Sequence, residues 1–177
     1  ESLRELVNLM CLTPTIQQPD NPVWPERLQG RVEFRDVGFR YPEASECALS
    51  GVNFVAEPFT ATALVGSSGC GKSTLMGLLQ RLHDPTSGDV LVDGIDLRQL
   101  DYDRYRRQGI SVVSQDIELF DTTIMENIRV SYPEASDDEV IEAACLACAD
   151  EFIVKQEHGY QTEVGENGIR LSGGQKQ

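Results

Sequence analysis

The chain has 177 residues and a mass of 19.6 kDa, which suits one ordinary globular domain and is too short for two large ones. Acidic residues outnumber basic ones 29 to 15, and the formal net charge of -14 disfavours a general nucleic-acid-binding protein, which needs a basic face. No stretch approaches the ~20 apolar residues of a membrane span. Five cysteines without a secreted-scaffold spacing favour a reducing compartment. The chain begins at Glu1 without an initiator methionine or a signal-peptide pattern, which predicts that it starts inside a longer protein.

The first third of the chain predicts a helix, a linker and several strands. Apolar residues recur at helical spacing in residues 1–13, and four prolines then predict a non-helical linker over residues 14–30. Residues 31–41 and 49–56 alternate between apolar and polar side chains, which predicts antiparallel strands. Thr62–Val65 is a short apolar run, typical of a buried parallel strand.

The remainder predicts two more strands and then mainly helices. A helix is predicted after a glycine-rich segment, ending at Asp84-Pro85. A strand is predicted between the turn signals Ser87-Gly88 and Asp93-Gly94, and a second buried parallel strand over Ile110–Val113. Further helices are predicted over Thr123–Arg129, Ser136–Ala149 and Asp150–Gln156.

The glycine-rich segment begins where the first predicted parallel strand ends. It fills the pattern GxxxxGK[ST], the phosphate-binding P-loop or Walker A motif. Its glycines let backbone N–H groups face an anion, and the following helix adds the positive end of its dipole. Lys72 suits contact with the β- and γ-phosphates, and the Ser73 hydroxyl suits Mg²⁺. Because an apolar strand enters and a helix leaves, the motif predicts a nucleotide-binding site. Its predicted residues are Gly66, Ser67, Ser68, Gly69, Cys70, Gly71, Lys72, Ser73 and Thr74.

A second glycine-containing segment, LSGGQ, lies near the last residues of the chain. Ser172 precedes two glycines and suits a helix N-cap, so an ordinary cap is the simplest interpretation. The same serine and the N–H groups beside it also suit a second phosphate site. The segment consists of Leu171, Ser172, Gly173, Gly174 and Gln175.

Together these segments resemble the nucleotide-binding domain of ATP-binding cassette (ABC) proteins, whose signature sequence is LSGGQ. The resemblance implies an α/β fold: a three-layer P-loop NTPase core with an antiparallel β subdomain and an α-helical subdomain. It also implies that two such domains pair head to tail, with each ATP between one P-loop and the partner's signature. By the same resemblance Tyr41 corresponds to the aromatic residue that stacks on adenine, and Gln115 to the Q-loop glutamine. The implied catalytic residues are Gln115 and Lys72, and the implied Mg²⁺ ligands are Ser73 and Gln115.

Three further segments are similar to multidrug-resistance-type exporters within this family. Thr162–Gly168 is similar to the X-loop that precedes the signature, and Leu119–Ile128 resembles the stretch that meets the coupling helices of the membrane domain. The opening helix and linker resemble the end of a last transmembrane helix leading into the domain. The implied boundaries are 1–13 for that helix, 14–30 for the linker and 31–177 for a partial nucleotide-binding domain, in which 31–115 is the β subdomain and P-loop core and 116–177 the helical subdomain.

The resemblance implies an ATP hydrolase that couples ATP binding and hydrolysis to export, with ATP and Mg²⁺ as cofactors. It places the domain on the cytosolic (or organelle-interior) face of a membrane. The implied partners are a second nucleotide-binding domain and the coupling helices of the membrane domain, and no nucleic-acid partner is expected. Two alternatives stay open: a soluble ABC ATPase acting on nucleic acid or ribosomes, and a nucleotide-binding module that does not hydrolyse ATP. The X-loop, the leading helix and the acidic charge argue against the first alternative.

The sequence also departs from the pattern of the family. Phe59 stands where the family usually has glycine before the P-loop strand. In the family, three features follow the signature and so lie beyond Gln177: the Walker B strand, the catalytic glutamate and the switch histidine. We therefore expect these 177 residues alone to hydrolyse ATP negligibly and to fold poorly. Asp89–Asp93 superficially resembles Walker B, but Asp93-Gly94 is typical of a hairpin turn.

Two weaker patterns remain. Cys145 and Cys148 form a CxxC pattern inside an alanine-rich helical run without a second pair. We expect both to pack as small apolar groups rather than to bind a metal or act in redox chemistry. We expect a second cluster to form a solvated helix face rather than an RNA-binding surface; it consists of Arg104, Arg106 and Arg107.

Overall fold

The structure is a computed structural model that describes Met10 and residues 13–177. The chain divides into two compact units, Glu1–Ser111 and Val112–Gln177. The predicted opening helix lies outside the described residues except for Met10 and Thr13, and residues 14–30 contain no helix, as their prolines predict. Among the residues described, none of the helices combines the length and the apolarity that crossing a membrane would require.

The first unit contains a four-stranded antiparallel sheet with the strand order β2-β1-β3-β4. Its strands are β1 (Val32–Phe39), β2 (Leu49–Ala56), β3 (Ser87–Val92) and β4 (Ile95–Asp96). Alternation along β1 buries Phe34 and leaves Arg35 exposed. Phe34 stacks on Phe54 of β2, with ring centroids 4.6 Å apart. The predicted antiparallel strands are therefore confirmed.

A two-residue turn joins β3 to β4. Asp93 and Gly94 have φ angles of 51° and 80°, the left-handed values that a type I′ hairpin turn requires. The Asp93 carboxylate accepts hydrogen bonds from the backbone N–H groups of Gln29 at 2.7 Å and Arg31 at 2.8 Å. The predicted hairpin is confirmed, and the Asp93 carboxylate holds the end of the linker beside it.

The first unit also contains the helices α1 (Lys72–Leu79) and α2 (Tyr102–Arg104), with a π-helical turn at Tyr105–Gly109 after α2. The predicted extension of α1 to Asp84-Pro85 is wrong, because the backbone reverses at Arg81, where φ is 51°. The Arg81 N–H donates to the Leu78 carbonyl and the Leu82 N–H donates to the Gly77 carbonyl, both at 2.9 Å. This pair of hydrogen bonds is the Schellman motif, which ends a helix.

Two predicted parallel strands are not formed. Residues 62–65 and 110–113 have no regular secondary structure, and Val65 and Val113 are 89% and 71% exposed. A parallel strand exists only where a neighbouring strand supplies hydrogen bonds. No described segment pairs with either run. Apolar composition therefore predicted these two strands wrongly.

The second unit is helical. Its helices are α3 (Ile124–Arg129), α4 (Asp137–Leu146), α5 (Asp150–Ile153) and α6 (Gly173–Lys176), with 3₁₀ turns at Gly159–Gln161 and Glu166–Gly168. The Thr123 and Ser136 hydroxyls cap α3 and α4. The predicted helices are confirmed, although α4 and α5 each end three residues early. Their core consists of Ile124, Ala144, Ile153 and Val164.

The X-loop-like segment Thr162–Gly168 lies beside the start of α3. The Ile124 N–H donates to the Thr162 carbonyl and the Val164 N–H donates to the Thr122 carbonyl, both at 3.0 Å. The two segments that resemble exporter sequences within this unit are thus joined by backbone hydrogen bonds.

The two weaker predictions have opposite outcomes. Cys145 and Cys148 are both exposed, so the expectation that they pack as apolar groups is wrong. The buried stripe of α4 consists of Val140 and Ala144 and ends before either cysteine. The expectation of a solvated helix face is confirmed by the exposure of Arg104, Arg106 and Arg107.

Candidate nucleotide-binding site

The loop of residues 66–71 leads directly into α1, and Gly71 fixes its path. Gly71 is the N-cap of α1 and has a φ of 93°, a conformation that other residues rarely adopt. A Cβ atom on Gly71 would lie 2.5 Å from Cδ2 of Leu49 and 3.1 Å from the carbonyl oxygen of Ala48. Glycine at this position therefore lets the loop lie directly against the start of β2.

Lys72 folds back over this loop. Its Nζ donates hydrogen bonds to the carbonyl oxygens of Gly66 at 2.9 Å and Ser67 at 2.7 Å, and it lies 3.5 Å from Cys70 Sγ. The ammonium group adds its charge to the N–H groups of the first turn of α1, which have no partner within the helix. A cation and a helix N-terminus on one exposed loop suit an anion with several oxygens, such as a polyphosphate.

Tyr41 lies beside the first turn of α1. Its hydroxyl is 3.2 Å from Thr74 Oγ1, and its ring packs edge-on against Phe39 and His83, with centroids 4.8 and 5.4 Å apart. Tyr41 remains 39% exposed, so its ring is accessible to a ligand. The structure thus brings the predicted adenine residue and the predicted phosphate loop together in one unit.

Sequence reasoning missed His83, which supports Tyr41. The imidazole ring lies 5.3 Å from the ring of Phe39 as well as beside Tyr41. The predicted helix ran through residue 83, whereas the reversal at Arg81 ends it earlier. No local signal in the sequence identifies that reversal, because arginine is not a typical residue at a left-handed helix end.

The side chains of the loop fit Mg²⁺ through one hydroxyl. Ser73 is exposed on the first turn of α1. No group of three or more His, Cys, Asp or Glu side chains converges on a metal site in the part of the chain that the structure describes. An ion held by Ser73 would take further ligands from phosphate oxygens and water, as Mg²⁺ commonly does in nucleotide sites, beside Gln115, the second ligand that the resemblance implies.

The other predicted site residues lie in the second unit. Gln115 is exposed in a segment without regular structure. The Ser172 hydroxyl accepts a hydrogen bond from the Gln175 N–H at 3.4 Å, and Gln175 Oε1 accepts one from the Ser172 N–H at 2.9 Å, which confirms the predicted cap. Cβ atoms added at Gly173 and Gly174 would meet nothing within 4 Å. Contacts within the chain therefore do not require glycine at either position.

A lysine-closed phosphate loop at the start of a helix, beside an exposed tyrosine, defines a P-loop nucleotide-binding domain. The family described as ABC transporter matches residues 49–177, and the chain belongs to that family. Membership of the family implies that the domain binds ATP.

Relatives of the chain include named exporters. It is 48% identical over 151 residues to ABC transporter B family member 4 of Dictyostelium discoideum, which covers 85% of this chain and 20% of that protein. It is 46% identical over 156 residues to P-glycoprotein 14 of Caenorhabditis elegans, with 86% and 12% covered. It is 42% identical over 175 residues to the Beta-(1-->2)glucan export ATP-binding/permease protein NdvA of Rhodopseudomonas palustris (strain BisB18), with 99% and 29% covered. The chain spans less than a third of the length of each of these relatives.

The fold is similar to that of a bacterial Atm1-family ABC exporter solved with ATP bound. The TM-score is 0.87 at 36% sequence identity, and the match covers 98% of this chain and 30% of that one. The predicted resemblance to the nucleotide-binding domains of multidrug-type exporters is confirmed, together with the fold class that it implies.

Proposed function

We propose that this chain is the ATP-binding part of an exporter that uses ATP binding and hydrolysis to move a substrate across a membrane. The observation that carries the proposal is the loop closed by Lys72 with Tyr41 beside it, because it offers a phosphate site and an aromatic surface within one unit. Relatives named as export proteins, and the ATP-bound exporter of similar fold, support it.

Each residue of the site has a distinct role in this proposal. Lys72 exchanges its hydrogen bonds to the loop carbonyls for hydrogen bonds to the β- and γ-phosphates. The Ser73 hydroxyl holds Mg²⁺, which when bound neutralises phosphate charge. Tyr41 stacks on adenine. By its resemblance to the Q-loop glutamine of the family, Gln115 is a second ligand of Mg²⁺ and orients the attacking water.

The segment Leu171–Gln175 serves a nucleotide held by the P-loop of a second nucleotide-binding domain, in a head-to-tail dimer. Support comes from the empty space around Gly173 and Gly174. Nothing inside the chain requires glycine at these two positions, and glycine suits a place where a ligand approaches the backbone closely.

The membrane domain binds a groove in the second unit. The groove has a volume of about 480 Å³ and is lined by Phe120, Thr122, Glu126, Arg129, Val130 and Pro133. Asn127 holds its rim, because its Nδ2 donates to the Phe120 carbonyl at 3.0 Å and its Oδ1 accepts the Phe120 N–H at 2.9 Å. Phe120 itself is 64% exposed. The groove suits the apolar end of a coupling helix. In this proposal the domain lies on the cytosolic or organelle-interior face of the membrane.

The test uses the intact protein in inside-out membrane vesicles. Three quantities are measured: binding of a fluorescent ATP analogue, phosphate release, and ATP-dependent accumulation of compounds from a cell extract, read by untargeted mass spectrometry. We expect Lys72→Ala to lower all three and Lys155→Ala, which changes an exposed lysine outside the site, to lower none.

Three results would contradict the proposal. Phosphate release that is stimulated by RNA and does not require a membrane would favour the soluble ATPase. Nucleotide binding without phosphate release would favour a module that does not hydrolyse ATP. Equal effects of the two lysine substitutions would show that the loop is not the nucleotide site.

A further inference from the structure

The end of α4 holds two cysteines in one hydrogen-bonded motif. The Cys148 N–H donates to the Cys145 carbonyl at 3.0 Å, and the Ala149 N–H donates to the Ala144 carbonyl at 2.8 Å. These are the two hydrogen bonds of a Schellman motif, in which Cys148 occupies the left-handed position. Its φ is 58°. The cysteines are thus held close together by the backbone.

Cysteine is an unusual choice at the left-handed position. Glycine is usual there and asparagine is tolerated, because a Cβ atom is crowded in this conformation. The end of α1 has the same motif with Arg81 at that position, but the Arg81 side chain is 5% exposed and pairs with Asp84. Cys148 is exposed. Burial of its side chain therefore does not explain why a strained residue is retained at this corner.

The two thiols share a single exposed corner of the second unit. Both are free thiols, and neither takes part in the apolar core of that unit. A turn closed by a hydrogen bond from residue i+3 to residue i keeps its Cα atoms within about 7 Å. Disulfides join Cα atoms about 4.4–6.8 Å apart. The motif therefore brings the Cα atoms of the two cysteines into the range that a disulfide spans.

We propose that Cys145 and Cys148 form a redox-active dithiol that closes to an internal disulfide. The co-reactant is a small disulfide of the glutathione type. One cysteine thiolate attacks it and forms a mixed disulfide, which releases one glutathione thiolate. The second cysteine thiolate then attacks the protein sulfur and releases the other. The two cysteines lose two electrons and two protons in total, and the glutathione disulfide becomes two molecules of the thiol.

The test is carried out on the intact protein in buffers with defined ratios of reduced to oxidised glutathione. Remaining thiols are trapped with iodoacetamide before digestion with trypsin. The tryptic peptide from Val130 to Lys155 contains Cys145 and Cys148 and no other cysteine. We expect most of this peptide to lose two hydrogen atoms in oxidising buffer and to recover both thiols in reducing buffer.

Variants and a second reagent separate a pair from two independent thiols. In Cys145→Ser and Cys148→Ser proteins, we expect the remaining thiol to be trapped as a glutathione adduct and the internal disulfide to be absent. Phenylarsine oxide, which binds two neighbouring thiols with loss of water, should protect the wild-type peptide from iodoacetamide and protect neither variant. The exposed Cys47 serves as an unpaired control. Glutathione adducts without an internal disulfide in the wild type, or equal arsenical protection of the single-cysteine variants, would overturn the proposal.

Discussion

At the residue scale, Arg81 fixes both the end of a helix and the position of the linker. Its Nε donates to Asp84 Oδ1 and its Nη2 donates to the Gln17 carbonyl, both at 3.2 Å. Its guanidinium carbon lies 5.5 Å from the centroid of the Tyr102 ring. Burying a guanidinium is costly unless it has such partners. These contacts satisfy Nε and Nη2 and offset part of that cost, whereas Nη1 is buried without a hydrogen-bond partner among the described residues.

We predict that Arg81→Ala lowers the free energy of unfolding by about 1–3 kcal/mol, because hydrogen bonds from a charged donor are lost. Chemical denaturation of the intact protein, followed by a probe in the first unit, measures the change. Arg107→Ala, at an exposed arginine, is the matched control and should change stability by less than about 0.5 kcal/mol. Equal effects of the two substitutions would contradict a special role for Arg81.

A second prediction at this scale concerns Cys70. Its Sγ lies 3.5 Å from Lys72 Nζ, and a Cβ atom on Gly66 would approach it to 2.6 Å. An alkyl group added to this exposed sulfur therefore lies within the loop's own anion site, directly beside the ammonium group. We expect alkylation to lower nucleotide binding at least tenfold and bound MgATP to protect. Cys70→Ser should remove the sensitivity, whereas Cys47→Ser should leave it; persistence of the sensitivity in Cys70→Ser would assign it to another cysteine.

At the element scale, β1 carries a carboxylate between two arginines on one face of the strand. Glu33 accepts hydrogen bonds from Arg35 and Arg31, each two residues away. The Arg35 hydrogen bond, followed by that of Arg31, lowers the pKa of Glu33 from 4.5 to about 2. The ionised form is thus favoured in the folded strand.

This shift gives a pH dependence of definite sign. Because the pKa is lower in the folded chain, the contribution of Glu33 to stability is complete above about pH 4.5 and is lost as the pH falls towards 2. We expect Glu33→Gln to flatten the stability-against-pH curve in that window, measured by urea unfolding. Glu43→Gln, at an exposed residue, should leave the curve unchanged. A curve for Glu33→Gln that matches the wild type would rule out this pairing as a source of acid sensitivity.

Sequence patterns were sufficient for elements whose signals are local. The Thr123 and Ser136 caps mark the starts of α3 and α4, and Asp93-Gly94 marks a turn within two residues. The P-loop is equally local, because its glycines and lysine lie within eight residues. Such elements can be predicted because the residues that determine them are neighbours in the chain.

The incorrect strand predictions depended on residues that are distant in sequence. Residues 62–65 are apolar, but a parallel strand also needs a neighbour. The contact between Tyr41 and Thr74 joins a strand end to a helix and has no signature in either segment. Cys148 lies in an alanine-rich run that was predicted to be helical and was expected to pack as an apolar group, but α4 ends before it, at Leu146. The two parallel strands thus lack a partner strand among the described residues, whereas two predicted helices end early because the backbone reverses locally at Arg81 and Cys148.

At the scale of the whole molecule, the proposed site is completed by a second copy or a second domain. Lys72 and Tyr41 belong to the first unit and the LSGGQ segment belongs to the second. A head-to-tail pair places one P-loop against the partner's signature. Substitutions in the two segments should therefore fail at different steps.

We predict that Lys72→Ala weakens ATP binding by the monomer, because a charged contact to phosphate is lost. Ser172→Ala should leave monomer binding within about twofold and lower the ATP-dependent dimer fraction, measured by light scattering. Since Ser172 also caps α6, Ser172→Asn, which can still cap, separates loss of the cap from loss of the hydroxyl. A shared defect in monomer binding would count against the head-to-tail arrangement.

The position of Lys72 has a consequence for how the loop takes up its ligand. Its ammonium group already donates to the Gly66 and Ser67 carbonyls. These two carbonyl oxygens therefore compete with phosphate for the ammonium group, and because they belong to the same chain, this competition does not depend on protein concentration. In the proposed site, contact with both the β- and γ-phosphates requires the ammonium group, which has three N–H donors, to give up at least one of these two hydrogen bonds. That loss lowers the observed affinity below the sum of the new contacts. We expect the lysine to rebind its own loop when nucleotide leaves, so that exchange replaces one set of hydrogen bonds by another and the loop keeps its shape between occupants.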